Sequence, residues 1–160
     1  MKLLGDIHAA QLAGIWDCDG NIGIARRYDK RYEGRAYYRP VVQIGQVPRA
    51  LLDWVVDVIG DGRVYKHGRR PVHFLRLPER VVVEFLERIR PYLILKRRQA
   101  ELAIELSRSQ TWNGKKIPPE VIARREAIWA EARALNRKRD GAEYLPPVRP
   151  RLRVVHQEVS

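Results

Sequence analysis

Several absences narrow this sequence before any motif is considered. It holds one cysteine, Cys18, which excludes an internal disulfide framework and any multi-cysteine zinc site. Its four histidines, His8, His67, His73 and His156, show no spacing typical of a metal-binding pair. No apolar run approaches the roughly 20 residues that a membrane-spanning helix requires. The opening stretch MKLLGDIHAAQLAG carries Asp6 and His8 and lacks the apolar core of a signal peptide. A membrane partner is therefore not expected, and a cytoplasmic location is. Acidic residues are also in short supply. Nineteen Asp and Glu face 31 Lys and Arg, leaving a formal charge of +12. A surplus of that size implies a polyanionic partner, and with no membrane segment the partner is read as nucleic acid.

What is present is enough for a folded domain. The chain has 160 residues, 45% of them hydrophobic, which suits one compact domain and excludes a disordered tail. Its single Met, few Asn and many Arg and Glu fit either a thermophile bias or a GC-rich genome.

Periodicity gives the order of elements. Residues 7–18 read as a short apolar helix, with Asp6 as N-cap and Gly20 just past the end. Residues 21–28 alternate, Ile22 and Ile24 on one face and Ala25 and Arg27 on the other. After a polar turn at 29–34, residues 35–46 alternate again. Tyr38, Val42 and Ile44 point one way, and Tyr37, Arg39 and Gln43 the other. This is a hairpin with one apolar and one polar face. A helix over 47–59 has Pro48 in its first turn, and Asp61-Gly62 turns the chain. Residues 63–67 and 72–76 form a second hairpin. Helices follow over 79–89, ended by Pro91, and over 95–109 and 119–138. Residues 141–160 read as a basic, Pro- and Arg-rich tail behind a 1–140 domain. The fold class is α+β, with helices covering one face of an antiparallel sheet and the other face open.

Residues 12–20 read Leu-Ala-Gly-Ile-Trp-Asp-Cys-Asp-Gly. They resemble the LAGLIDADG motif, matching six of its nine positions. The order helix, hairpin, helix, hairpin, helix over residues 7–89 is similar to that family's. So is the segment Arg90-Pro-Tyr-Leu-Ile-Leu-Lys96-Arg-Arg-Gln99-Ala100, which resembles the part that carries a basic residue toward the active site. The resemblance implies an αββαββα fold with extra C-terminal helices, whose sheet forms a saddle for DNA. It also implies a site-specific homing endonuclease, of the kind associated with intron homing. One motif in the chain implies a homodimer, and a two-fold dimer implies a near-palindromic double-stranded target.

The resemblance also assigns roles. Asp19 matches the acidic position that binds the catalytic metal, with Mg²⁺ or another divalent cation as cofactor. The backbone carbonyl of Cys18 is expected to assist, and the Cys18 thiol to be packed. Asp17 is read as structural, a cap near the helix end. Lys96 is expected to stabilise phosphate charge or to assist the attacking water, and Gln46 to position that water. The residues support part of this on their own terms. Ala13 and Gly14 are small neighbours on a bulky helix and would let it pack closely against a copy of itself. Two copies would bring two Asp19 carboxylates together, which repel unless a cation lies between them. Leu12, Ala13, Gly14 and Trp16 are accordingly placed at the dimer interface. Trp16, which departs from the family's aliphatic residue, could fill that seam or the core.

Base reading falls to the open sheet face, because a two-stranded ribbon fits the major groove. The candidates are Arg27, Asp29, Tyr37, Arg39 and Gln43 from the first hairpin, and Arg63, Tyr65, His67, Arg70 and His73 from the second. Arg26, Lys30, Arg31, Arg35, Arg69, Arg97 and Arg98 are expected at phosphates. Two rival functions share the fold: an intron RNA maturase and a DNA-binding regulator that does not cut. Keeping Asp19 and Lys96 favours the nuclease over both.

Overall fold

The computed structural model describes residues 5–28, 36–66, 68, 71–110 and 117–137. Asp29, His67 and Arg70, Lys30, Arg31, Arg35 and Arg69, and the C-terminal tail lie outside those residues. Helix α1 spans Asp6–Cys18, followed by strands β1 (Gly20–Tyr28) and β2 (Ala36–Gln46). Helix α2 (Arg49–Ile59) leads to the short strands β3 (Arg63–Lys66) and β4 (His73–Arg76). Helix α3 (Glu79–Ile89) passes through a 3-10 turn at Arg90–Tyr92 into α4 (Arg97–Arg108), and α5 spans Pro119–Arg137. This is the expected α+β order. Three local expectations differ. Asp6 is the first helical residue, and Gly5 holds the N-cap position. Pro48 is the N-cap of α2 and not within its first turn. Pro91 sits inside the 3-10 turn, whose missing N–H is tolerated at a new helical start.

The four strands form one antiparallel sheet in the order β1-β2-β4-β3. Register fixes its two faces. Ile22 pairs with Val42, Gly20 with Ile44, and Ile44 and Val64 with Leu75. These apolar residues pack under α1, α2 and α3 in the main core, around Trp16, Leu52, Val55, Phe85 and Leu86. The opposite face carries Asn21, Arg27, Tyr37, Arg39, Gln43, Arg63, Tyr65, Phe74 and Arg76. A second, smaller core lies under the outer part of the β1–β2 hairpin. There Tyr38 meets Leu102, Leu106, Ile128 and Ala132 of α4 and α5.

Helix α1 buries Ala9, Leu12, Ala13, Trp16 and Asp17, the i, i+3, i+4, i+7, i+8 stripe of a core-facing helix. Trp16 meets Phe85 edge-on at 4.8 Å. Immediately after the helix, Gly20 lies so close to Trp16 that a Cβ would sit 2.4 Å from the indole and 2.7 Å from the Trp16 Cα. Glycine is required there for approach, and this sharp passage from α1 into β1 sets where Asp19 points. Helix α2 ends with Gly60 at φ 75, a left-handed C-terminal residue that lets the chain reverse into β3. Among the described residues, no helix is long and apolar enough to cross a membrane.

Candidate active site and nucleic-acid interface

The end of α1 and the start of α4 lock each other. The Asp17 carboxylate accepts three successive backbone N–H groups, from Ile94 at 2.6 Å, Leu95 at 3.1 Å and Lys96 at 2.9 Å. In return the Lys96 ammonium donates to the carbonyls of Trp16 at 2.5 Å, Asp17 at 2.8 Å and Gly20 at 2.7 Å. The last carbonyls of a helix have no partner within it and carry its negative end, so a buried cation there satisfies both. The carboxylate does the same for amides entering the next helix. Asp17 is thus structural, as expected, but it anchors α4 and does not cap its own helix.

This geometry corrects the expectation for Lys96. The side chain is only 9% exposed, and three backbone carbonyls lie within hydrogen-bond distance of its ammonium. The amine is aimed at the backbone beneath Asp19 and not outward at a phosphate. In this structure Lys96 braces the backbone from which Asp19 projects.

Asp19 itself is exposed at the C-terminal end of α1, its N–H bonded to Ile15 O. Gln46, the last residue of β2, donates its Nε2 to Asp19 Oδ2 at 2.7 Å. The two residues lie 27 positions apart, and only the return of the long hairpin brings them together. Two of the three expected catalytic groups therefore meet, and the third holds the frame under them.

The outer side of α1 differs from expectation. Leu12, Ala13 and Trp16 are fully buried in the chain's own core and offer nothing to a second copy. The reason is helical pitch. Adjacent residues are about 100° apart, so Ala13 faces inward while its neighbour Gly14 faces out. A Cβ on Gly14 would meet nothing within 4 Å. Gly14 lines an open groove with Ala10, Ile15, Cys18, Leu51 and Trp54, and Asp19 sits at its end. Cys18 is exposed there, which corrects the expectation of a packed thiol.

On the open sheet face, Arg27, Tyr37 and Arg63 are exposed. Gln43 is half-buried, and Arg39 is held 3.6 Å from Glu79 at the start of α3. Tyr65 stacks on Phe74, with ring centroids 5.9 Å apart, over Gly45. Tyr37, Arg39, Arg63, Tyr65, Arg76 and Arg80 line one groove. His73 is not on this face. It pairs with Gln46 and Lys66 and shares the side of Leu75, turned toward the helices. The same parity reveals two open-face residues that sequence reasoning missed, Arg76 opposite Gln43 and Asn21 paired with Gln43. Leu75 was the available signal, because the residues flanking an inward leucine face out. Three residues expected at phosphates have other partners. Arg26 is sandwiched under α5, Arg98 pairs with Glu131 at 2.7 Å, and Arg97 donates to the Pro91 carbonyl at 3.1 Å.

No protein-family model matches the sequence, and no curated protein matches it. Solved structures do. The homing endonuclease I-CvuI, in complex with the I-CreI target and 2 mM Mg with the DNA not cleaved, superposes with a TM-score of 0.72. The match has 24% identity and covers 86% of this chain and 85% of that one. The archaeal intron-encoded homing endonuclease I-Vdi141I, complexed with DNA, gives 0.71 at 20% identity over 87% of each chain. The LAGLIDADG meganuclease I-AabMI, bound to uncleaved DNA, gives 0.63 at 20% identity, covering 79% of this chain and 44% of that one. The chain has the LAGLIDADG homing-endonuclease fold. Within this chain Gly20 directly follows Asp19 and opens β1, whose next residue, Asn21, belongs to the open face.

Proposed function

We propose that the chain acts as a homodimeric, divalent-metal-dependent DNA endonuclease that makes a staggered double-strand break in a long, near-palindromic site. The Asp19–Gln46 pair carries the reading. It places an exposed carboxylate, oriented by an amide, beside a polar sheet face on a protein of charge +12. The DNA complexes of I-CvuI, I-Vdi141I and I-AabMI, which share the fold, support duplex DNA as the partner.

The same end of the molecule supports the homodimer reading. The groove along α1 is apolar and open at Gly14, where an added Cβ would meet nothing within 4 Å. Asp19 of each copy, with the Cys18 carbonyl, supplies hard oxygen donors of the kind Mg²⁺ takes, and phosphate oxygens and water complete its shell. A bound Mg²⁺ would stabilise charge on the scissile phosphate and make its water a better nucleophile.

The chain's own residues do the rest. Gln46 holds Asp19 Oδ2 and so decides which carboxylate oxygen is left to face a ligand. Lys96 and Asp17 fix the backbone from which Asp19 projects. Asn21, Arg27, Tyr37, Arg39, Gln43, Arg63, Tyr65 and Arg76 present donors, acceptors and rings to base edges and phosphates. The test is selection of cut sites from a randomised duplex library, with Mg²⁺ and with EDTA. Mg²⁺-dependent cutting at one near-palindromic site supports the reading. Tight duplex binding without cutting would point to a regulator, and binding of intron RNA without duplex binding to a maturase.

A further inference from the structure

The arginine that precedes Arg27 is turned away from the open sheet face and engaged by α5. Arg26 lies on the helix side of β1. Its guanidinium sits 4.9 Å from the Trp129 ring centroid, 5.1 Å from that of Tyr28 and 5.9 Å from that of Tyr38. Glu126, one turn before Trp129 on α5, bonds it at 3.2 Å. Tyr38 is buried and is the residue paired with Arg26 across the hairpin. The Tyr38 carbonyl accepts a hydrogen bond from Gln110, which follows α4. Desolvation by this packing raises the pKa of the Tyr38 hydroxyl.

Strand geometry links this cluster to the opposite face. Arg27 pairs with Tyr37, one residue along from the Arg26–Tyr38 pair on each strand, so both project to the open side. The main core under Ile22, Val42 and Ile44 supports the Asp19 end of the hairpin. The outer end rests instead on the smaller core formed with α4 and α5. Arg26 and Tyr38 cannot shift without carrying Arg27 and Tyr37 with them.

We propose that Trp129 and Glu126 of α5, acting through Arg26, are positioning residues that set how Arg27 and Tyr37 read the outer part of a DNA half-site. This rests on the endonuclease reading above and adds a division of labour to it. Arg27 lies seven residue steps along β1 from Gly20. That is about 23 Å at roughly 3.3 Å per residue, or about seven base pairs at roughly 3.4 Å each. Discrimination near the cut depends on the main core. Discrimination about seven pairs further out depends on α5.

Two measurements on the full chain test this, for wild type, Trp129→Ala and Trp129→Phe. The first is amide hydrogen exchange without DNA. Trp129→Ala should speed exchange in residues 26–28 and 36–38 at least tenfold and leave residues 20–22 and 42–44 unchanged, with Trp129→Phe close to wild type. Equal acceleration throughout the sheet, or none in the outer hairpin, overturns the proposal. The second is base preference at each position of a cut or bound duplex library. Trp129→Ala should lose preference about tenfold at outer pairs and keep it near the cut. Uniform loss at all positions, or retained outer preference, also overturns the proposal. If wild type cuts and binds no duplex, the endonuclease reading fails and the specificity role fails with it, while exchange still decides whether α5 positions the hairpin. Glu126→Gln, at a half-exposed site, gives a smaller change in the same residues if Trp129→Ala does not fold.

Discussion

Replacing Lys96 by methionine keeps the apolar stem of the side chain as far as the ε position and removes the ammonium that three carbonyls share. Unpaired buried carbonyls cost about 1–3 kcal/mol each, so Lys96→Met should lower stability by on the order of 3 kcal/mol or more, read by denaturant titration. A variant as stable as wild type but unable to cut would instead put the amine at the phosphate. Asp17→Asn should destabilise for the mirror reason, by about 2 kcal/mol, because an amide turns a donor toward three N–H groups built to meet a carboxylate. Gly20→Ala should also destabilise, by about 1–3 kcal/mol. Truncating Trp16 should not rescue it, because part of the clash is with the Trp16 backbone at Cα.

At the scale of elements, α1 has an inner face that folds the chain and an outer face that the fold does not use. Gly14→Leu separates the two. The new side chain meets nothing in the monomer, so thermal stability should hold or rise slightly as a mid-helix glycine is removed. Self-association, measured by sedimentation, should weaken at least tenfold, and an unchanged dimer would move the interface off this face. The sequence showed α1 as a helix from its apolar period, but not which of its small residues pointed outward. Ala13 and Gly14 are adjacent in the motif and about a quarter-turn apart in space. The hairpin faces were legible wherever two strands alternated cleanly, as at Tyr37, Arg39 and Gln43. They were not legible in the four-residue strand of His73, where too few residues establish a parity. The Asp19–Gln46 contact was reachable only through the resemblance, because nothing local connects the end of α1 to the end of β2. The Asp17–Lys96 lock joins residues about 80 apart and has no local signature at all. Helix α5 is tied down partly by Arg98, whose hydrogen bond holds the Glu131 carboxyl below its ordinary range. A lowered carboxylate stabilises the fold above its unfolded pKa and loses that contribution as pH falls through its folded one. Acid should therefore loosen α5 slightly, and Glu131→Gln should remove that part of the pH dependence in helix-specific hydrogen exchange.

For the whole molecule, the proposed function rests on charge and on two-fold pairing. A chain of +12, doubled in a dimer, should bind duplex DNA with steep salt dependence. If six to ten phosphates are neutralised, affinity should fall on the order of a thousandfold or more between about 50 and 200 mM salt. A shallow slope would mean that few of the exposed arginines meet DNA. In the proposed reaction, two Asp19 carboxylates, brought together by two copies, would hold the metal that supports cutting. The most direct measurement compares wild type and Asp19→Asn on one duplex selected by wild type, with binding assayed in parallel with cleavage. Asp19→Asn should bind within a few-fold of wild type, and its Mg²⁺-dependent cutting of both strands should fall below detection. Cutting at the wild-type rate by Asp19→Asn would contradict it and place the chemistry elsewhere on the molecule.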